Sequence, residues 1–364
     1  MGERMEQSIA AGNGSPKVVV NGRFLLQPVT GVQRYATEVT RRLDDRVRFV
    51  RPQRAARGFT GHAWEQLVLP RHLKRGDLLW SPANTGPLRV ASQVVTIHDL
   101  SVIDHPEWFG RRFAAWYRWL LPRLARNVRL VLTDSEFSKS RLRAEFDLPE
   151  ARVVVVRPGV DERFGLALPG RVEAVRMKYS LPHAYFLAGG SLEPRKNLRT
   201  AFQAWEQVSA AYPDCRLLVF GAAGGSFSSR GFERIPDGVI LQGYVDDEDL
   251  PALYGAAVGF LYVSLYEGFG LPVLEAMAAG TPVICSSTTS IPEVAGEAAL
   301  LVDPLDPEAI ANAMERLLAD RTLQADLRDR GRRRAVTFSW ERTTAAAWQA
   351  LQEASRWGNR KDQA

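Results

Sequence analysis

Within YEGFGLPVLEAMAAGTP at 266–282, two carboxylates, Glu267 and Glu275, stand eight residues apart. The run VGFLYV at 258–263 before them reads as a strand, and Pro272 sits at a first helical position. Glu267 then belongs to a strand-to-helix loop and Glu275 to the helix, about one turn in. Gly268 and Gly270 leave backbone N–H groups uncovered between them. Taken singly, Glu267 reads equally well as an exposed loop acid, and Glu275 as a first-turn carboxylate that suits the helix dipole. A second loop changes the weighing. GGSLEPRKN at 189–197 follows another strand and opens another helix. It puts Arg195 and Lys196 at a helix N-terminus, where free N–H groups already favour anions. Alone, it reads as a solvated charged turn. Two acids and two cations on strand-to-helix loops together point to binding of an anionic ligand.

Weaker candidates lie elsewhere. In QPVTGVQRY at 27–35, Gly31 opens an amphipathic helix and lets a phosphate approach the backbone. His98 ends the strand VVTIHD at 94–99 and so faces a cleft; a satisfied structural histidine is the competing reading. The acidic run Asp246-Asp247-Glu248-Asp249 suits a helix cap and first turn better than a metal site. No strand-end Asp-x-Asp is flanked as a magnesium site needs, so no metal is expected. The two cysteines, Cys215 and Cys285, read as small buried strand residues.

Two α/β halves must position these loops. Strands are expected at 17–26, 78–81, 94–98, 130–133 and 153–156, and helices at 31–43, 107–126 and 135–146. Asp134-Ser135 supplies a side-chain cap for the last of these. Residues 157–182 read as a loop with a short basic helix. Strands follow at 184–188, 216–220, 239–241, 258–263, 282–285 and 299–302. Helices follow at 197–211, 248–256, 272–279, 307–318, 324–337 and 340–356. Strands alternating with helices imply doubly wound parallel sheets. The expected division is a disordered tail at 1–16, a Rossmann-like domain at 17–176, a second at 177–340, and a terminal helix at 341–364 returning to the first. Ligands of such sheets sit beyond the carboxyl ends of the strands.

The 364 residues are 46% hydrophobic and 24% charged, values of an ordinary globular chain. Residues 1–170 carry 27 Lys+Arg against 17 Asp+Glu; the remainder carries 20 against 24. A basic front half suits an anionic partner. Arginine outnumbers lysine 41 to 6, which genomic bias also explains in part, and no nucleic-acid motif accompanies the charge. Residues 1–16 lack the apolar segment of a signal peptide, and no run is long enough to span a bilayer. A cytoplasmic protein is expected, free or peripheral on the inner face of the membrane.

With these residues assembled, the chain resembles the retaining family 4 glycosyltransferases of the GT-B fold over nearly its whole length. The matching pieces are TGVQRY at 30–35, HDL at 98–100, DSEFSK at 134–139, RPGVD at 157–161 and GSLEPRKN at 190–197. GYVDDEDL at 243–250, EGFGLPVLEAMAAGTPVI at 267–284 and LLVDP at 300–304 continue them. The opening NGRFLLQPVTGVQRYA is similar to the mannosyltransferase-like branch that builds O-antigen and exopolysaccharide. The resemblance implies that Arg195 and Lys196 hold the donor diphosphate, Glu275 the ribose and Glu267 the donor sugar. Gly190, Ser191, Gly268, Phe269, Gly270 and Leu271 would line the donor. Gly243, Tyr244 and Val245 would meet the nucleobase through backbone groups. Gly31 would approach the diphosphate from the other domain, and His98 would contact donor sugar or acceptor. Ser191 stands where many members carry arginine, so one phosphate cation is missing and Arg195 would have to compensate.

No cofactor beyond a nucleotide-sugar substrate is implied. GDP-mannose is the favoured donor, with dTDP-rhamnose and UDP-glucose as alternatives, and the acceptor would be a lipid-linked or free glycan. In 107–126, Phe109, Phe113, Trp116, Leu120 and Leu124 fall on one helical face among arginines. Packing within the domain is the simpler reading; contact with anionic lipid is the other. A sugar-nucleotide epimerase of the same fold and a silent partner-binding subunit remain as alternative classes.

Overall fold

The computed structural model describes residues 18–54, 58–165, 167–189, 193–221 and 234–361. The expected tail at 1–16 and the site candidates Gly190 and Ser191 lie outside the described residues. The first sheet holds β1 (Val18–Asn21), β2 (Val47–Val50), β3 (Leu78–Ser81), β4 (Gln93–Thr96), β5 (Leu130–Thr133) and β6 (Val153–Val155). The second holds β7 (Ala184–Gly189), β8 (Cys215–Phe220), β9 (Val239–Gly243), β10 (Gly259–Tyr262), β11 (Val283–Ser286) and β12 (Leu300–Val302). The sheet orders are β2-β1-β3-β4-β5-β6 and β12-β11-β10-β7-β8-β9. Every pairing is parallel, as where Val18 lies beside both Val47 and Leu78.

Side-chain alternation divides each sheet between two cores. Phe186, Leu217, Leu261 and Ile284 pack on one face of the second sheet. Tyr185, Leu187, Leu218 and Phe260 pack on the other. In the first sheet Val20, Trp80 and Val94 face helices Gly31–Leu43 and Trp340–Lys361, while Val95 and Val131 face helix Arg111–Asn127. The C-terminal helix returns to the first domain: Trp340, Ala347 and Leu351 are buried against Tyr35, Val39 and Leu43. Both cysteines are buried.

Several expected boundaries move for local reasons. The strand expected over 17–26 stops at Asn21, whose side chain accepts from the Arg23 N–H and turns the chain into the 3-10 segment Gly22–Leu26. The helix expected over 107–126 breaks at Gly110 into Pro106–Trp108 and Arg111–Asn127. Of its expected stripe, Leu120 and Leu124 are buried and Phe113 is exposed, as is Trp119 outside the stripe. Strand β2 and helix Gly58–Leu67 had no expectation at all, being short and interrupted by arginine or glycine. Helix Pro169–Lys178 pairs with the second domain: Arg171 and Lys178 bind Asp249, and Arg176 reaches the Ala256 carbonyl. This puts the crossover ahead of residue 169, earlier than the boundary expected at 176.

Candidate active site

Strand order fixes where the site falls. The strand order of the second sheet reverses between β7 and β10, and the crevice at such a switch point is where open α/β sheets bind ligands. The loop after β7 carries Arg195 and Lys196; the loop after β10 carries Glu267. The two loops are tied together, the Leu265 N–H donating to the Arg195 carbonyl at 2.8 Å. Asn197 holds a left-handed conformation, which asparagine tolerates, and its amide donates to the Val263 and Pro304 carbonyls. Ser290 secures the other loop through the Glu267 and Phe269 carbonyls.

Glu267 is buried yet doubly paired. Lys196 Nζ donates to its Oε1 at 2.6 Å and to the Tyr262 hydroxyl at 2.9 Å. Arg195 Nη1 donates to its Oε2 at 2.9 Å, and Arg195 Nε to Glu193 at 2.6 Å. Burial works to raise the Glu267 pKa, but Lys196 and Arg195 outweigh it and hold the carboxyl at about 2. Burial, with Arg195 adding to it, lowers the Lys196 ammonium against the pull of Glu267. Arg195 moves up despite burial, because Glu267 and Glu193 both face it.

Glu275 lies on helix Leu271–Ala278, also buried. Its Oε1 accepts from Arg34 Nη1 at 2.6 Å, and Arg34 Nη2 reaches Asp247 at 3.0 Å. Burial raises the Glu275 pKa, and Arg34 offsets this only in part. Arg34 belongs to helix Gly31–Leu43 of the first domain, so this pair crosses the cleft. Sequence reasoning passed over Arg34, although it lies inside the TGVQRY motif, three residues beyond Gly31. At Gly31 itself an added Cβ would meet nothing within 4 Å, which leaves that helix start open.

Other contacts close the two domains on each other. Ser135 Oγ accepts from the Ser138 N–H, capping helix Glu136–Phe146, and donates to the Gly268 carbonyl at 2.7 Å. Tyr266 donates to Asp104 at 2.8 Å, and Glu293 accepts the Glu136 and Phe137 N–H groups. Gly268 is required by this approach: a Cβ there would lie 2.4 Å from the His98 carbonyl oxygen. Gly270 has φ +109°, a left-handed value that disfavours any side chain.

The remaining candidates fall differently. Phe269 and Val245 are buried in the core of the second domain, while Tyr244 is exposed beside Gly243 at the end of β9. Leu271 packs against both domains. His98 stands at the closed interface, but its ring is engaged internally. Nδ1 lies 2.8 Å from the Asp134 carboxylate and Nε2 3.0 Å from the Pro82 carbonyl. Both nitrogens lie against oxygen atoms, and a ring with two N–H groups would satisfy both. Burial opposes that charge, but Asp134 raises the His98 pKa. The expectation that this ring touches sugar or acceptor therefore meets one with only its carbons left for the contact. The acidic run differs from its expected role too. Asp249 precedes helix Leu250–Gly255 without a side-chain cap bond, and its carboxylate binds Arg171, Lys178 and Tyr179.

Two doubly wound sheets closing acids and cations into a crevice between them define a GT-B glycosyltransferase. The family model described as Glycosyl transferases group 1 matches residues 179–334, and that described as Glycosyltransferase Family 4 matches 88–164. The chain is 36% identical to O-antigen chain mannosyltransferase B of Escherichia coli over 277 residues, 71% of this chain and 69% of that protein. Sucrose-phosphate synthase from Thermosynechococcus elongatus superposes with a TM-score of 0.73 at 20% identity, covering 93% of this chain and 99% of that one. WaaG, a glycosyltransferase involved in lipopolysaccharide biosynthesis, superposes at 0.71 and 16% identity, covering 92% and 99%. The chain belongs to the family 4 glycosyltransferases.

Proposed function

We propose that this glycosyltransferase is a retaining, metal-independent hexosyltransferase that moves mannose from GDP-mannose onto a lipid-linked bacterial surface polysaccharide. The observation that carries the reading is the Glu267 carboxylate held between Arg195 and Lys196 at the switch point, with Glu275 one helix turn beyond its loop. Similarity to an O-antigen chain mannosyltransferase supports the sugar and the class of acceptor. Arg195 and Lys196 bind the diphosphate, whose charge grows as the bond from the anomeric carbon to the phosphate oxygen breaks. Fixed cations in a water-poor site stabilise that growth without reorganising. Glu267 binds hydroxyls of the donor sugar and Glu275 those of the ribose, for which Arg34 must release its contact. Gly31 and its neighbouring N–H groups approach the diphosphate from the first domain, and Gly243, Tyr244 and Val245 meet the base through backbone groups. The acceptor oxygen attacks the face the diphosphate leaves, and the departing phosphate oxygen takes its proton.

Among the described residues no helix is long and apolar enough to cross a membrane. Helix Arg111–Asn127 exposes Phe113 and Trp119, with Arg123 4.9 Å over the Trp119 ring and Arg112 and Arg118 also exposed. This face meets anionic lipid at the cytoplasmic surface, close to a lipid-linked acceptor.

A thermal-shift screen of nucleoside diphosphates and their sugars tests the donor, since a ligand of the folded state raises apparent stability. GDP and GDP-mannose give the largest shift; a larger one from UDP-glucose or dTDP-rhamnose would replace mannose in this reading. Transfer continues in excess EDTA. Loss of turnover there, restored by added magnesium, would overturn metal independence.

A further inference from the structure

A buried ionic cluster in the first domain has no part in the chemistry above. Glu65, on helix Gly58–Leu67, is 1% exposed. Its Oε2 accepts from Arg23 Nη1 at 2.5 Å, and its Oε1 accepts from Asn21 and Thr85, each at 2.8 Å. Arg23 is 7% exposed, and its Nε has no hydrogen-bond partner. Taking two charges out of water is costly, and packed apolar residues would serve the fold as well or better. His62, also buried, completes the cluster, its Nδ1 lying 3.4 Å from Glu65 Oε2 and 3.3 Å from Arg23 Nη1, and a buried ionic cluster that still leaves the Arg23 Nε donor over needs another reason to exist.

Its location supplies one. The strand order of the first sheet reverses between β1 and β3, so its own switch point lies there. Asn21 ends β1 and Ser81 ends β3. The loop that follows β3 gives the Pro82 carbonyl to His98 Nε2, the Asn84 side chain to the His98 N–H, and the Thr85 hydroxyl to Glu65. One loop thus joins the cluster to the wall of the interdomain cleft. A cavity of about 10 Å³ lies between Asn21, Arg23, Gln27, Glu65 and Thr85. That volume admits one water-sized group. A second anion would meet Glu65 and a cation would meet Arg23. A neutral group that both donates and accepts satisfies both.

We propose that this recess is an acceptor subsite that takes one hydroxyl of the acceptor sugar, which donates to Glu65 and accepts from Arg23. The subsite rests on the glycosyltransferase reading and adds a specificity determinant to it. A site built to hydrogen-bond a hydroxyl discriminates strongly against an analogue that lacks it.

The test uses the purified full chain, GDP-mannose, and methyl α-mannoside with its monodeoxy analogues, measuring both transfer and donor hydrolysis. In Glu65→Gln the acceptor KM rises about tenfold and the ratio of transfer to hydrolysis falls by a similar factor, the effect of one lost hydrogen bond to a charged group. Thr85→Val, which keeps the ion pair intact, shows the same direction at about threefold. One monodeoxy analogue costs the wild type about tenfold in kcat/KM and costs Glu65→Gln nothing further. Equal loss of transfer and hydrolysis in both variants, or no analogue coupled to Glu65, would overturn the subsite and leave a structural ion pair with trapped water. That result is distinct from a wild-type chain that neither transfers nor hydrolyses any sugar nucleotide, which would overturn the parent reading and the subsite with it.

Discussion

Lys196→Met removes a single charge while keeping an apolar side chain of similar length. Lys196 donates to Glu267 at 2.6 Å and to Tyr262 at 2.9 Å. Glu267 retains Arg195 at 2.9 Å on its other oxygen. The carboxylate is therefore weakened but not abandoned. Its loss falls near the value of about 1–3 kcal/mol for an unsatisfied buried group. A buried charge left wholly unpaired would cost about 3–5 kcal/mol. The effect on turnover is larger in proportion. Removing one fixed charge-stabilising contact costs about 100-fold or more in kcat, at least about 2.7 kcal/mol. Initial rates against donor concentration separate this from binding, and a denaturant melt of the same sample reports the stability term. A variant that shows the stability loss but keeps kcat within about threefold of wild type would refute the assignment of Lys196 to the leaving diphosphate.

Glu267→Gln exposes the acid limb of stability. The folded carboxyl sits at about 2 against an ordinary 4.5, so its contribution, about 3 kcal/mol, is complete above pH 4.5 and fades as the pH falls toward 2. The advantage of wild type over the variant in denaturant midpoints shrinks over that window; an advantage unchanged down to pH 2 would contradict it. Gly268→Ala puts a methyl group 2.4 Å from the His98 carbonyl and 2.8 Å from Asp99 Cβ, across the cleft. Overpacking of this kind costs about 1–3 kcal/mol, and the domains open to relieve it. Small-angle scattering then gives a larger radius of gyration and kcat/KM falls about tenfold or more; unchanged scattering and activity would show that the closed contact is dispensable.

Much of the second domain was legible because its signals are local. A glycine-bearing loop after a strand, a proline at the helix start and carboxylates in phase with the helix locate Glu267 and Glu275 without any tertiary knowledge. The terminal helix was legible from its apolar periodicity. The first domain was harder to read. Strand β2 has four residues, VRFV, and helix Gly58–Leu67 contains two glycines and, apart from His62, no titratable residue before Glu65, so neither stands out from a loop. Arg34 was in plain view inside a quoted motif, but its partners Asp247 and Glu275 are more than 200 residues away. Nothing in the chain between them records that distance being closed. His98 shows the opposite limit: its strand-end position was right, while the engagement of its ring by Asp134 and Pro82 depends on two other strands.

The sequence by itself determined the class of the fold and the loops of the candidate site around YEGFGLPVLEAMAAGTP, because strand period, helix period and turn residues are properties of neighbours in the chain. Only the tertiary structure decided which charges meet. It set Glu267 between Lys196 and Arg195, turned Arg34 across the cleft to Glu275, and buried Arg23 with Glu65 at the first sheet's switch point. Pairing of charges depends on distance and on exclusion of water, and both arise only when separate strands are brought to one edge of a sheet.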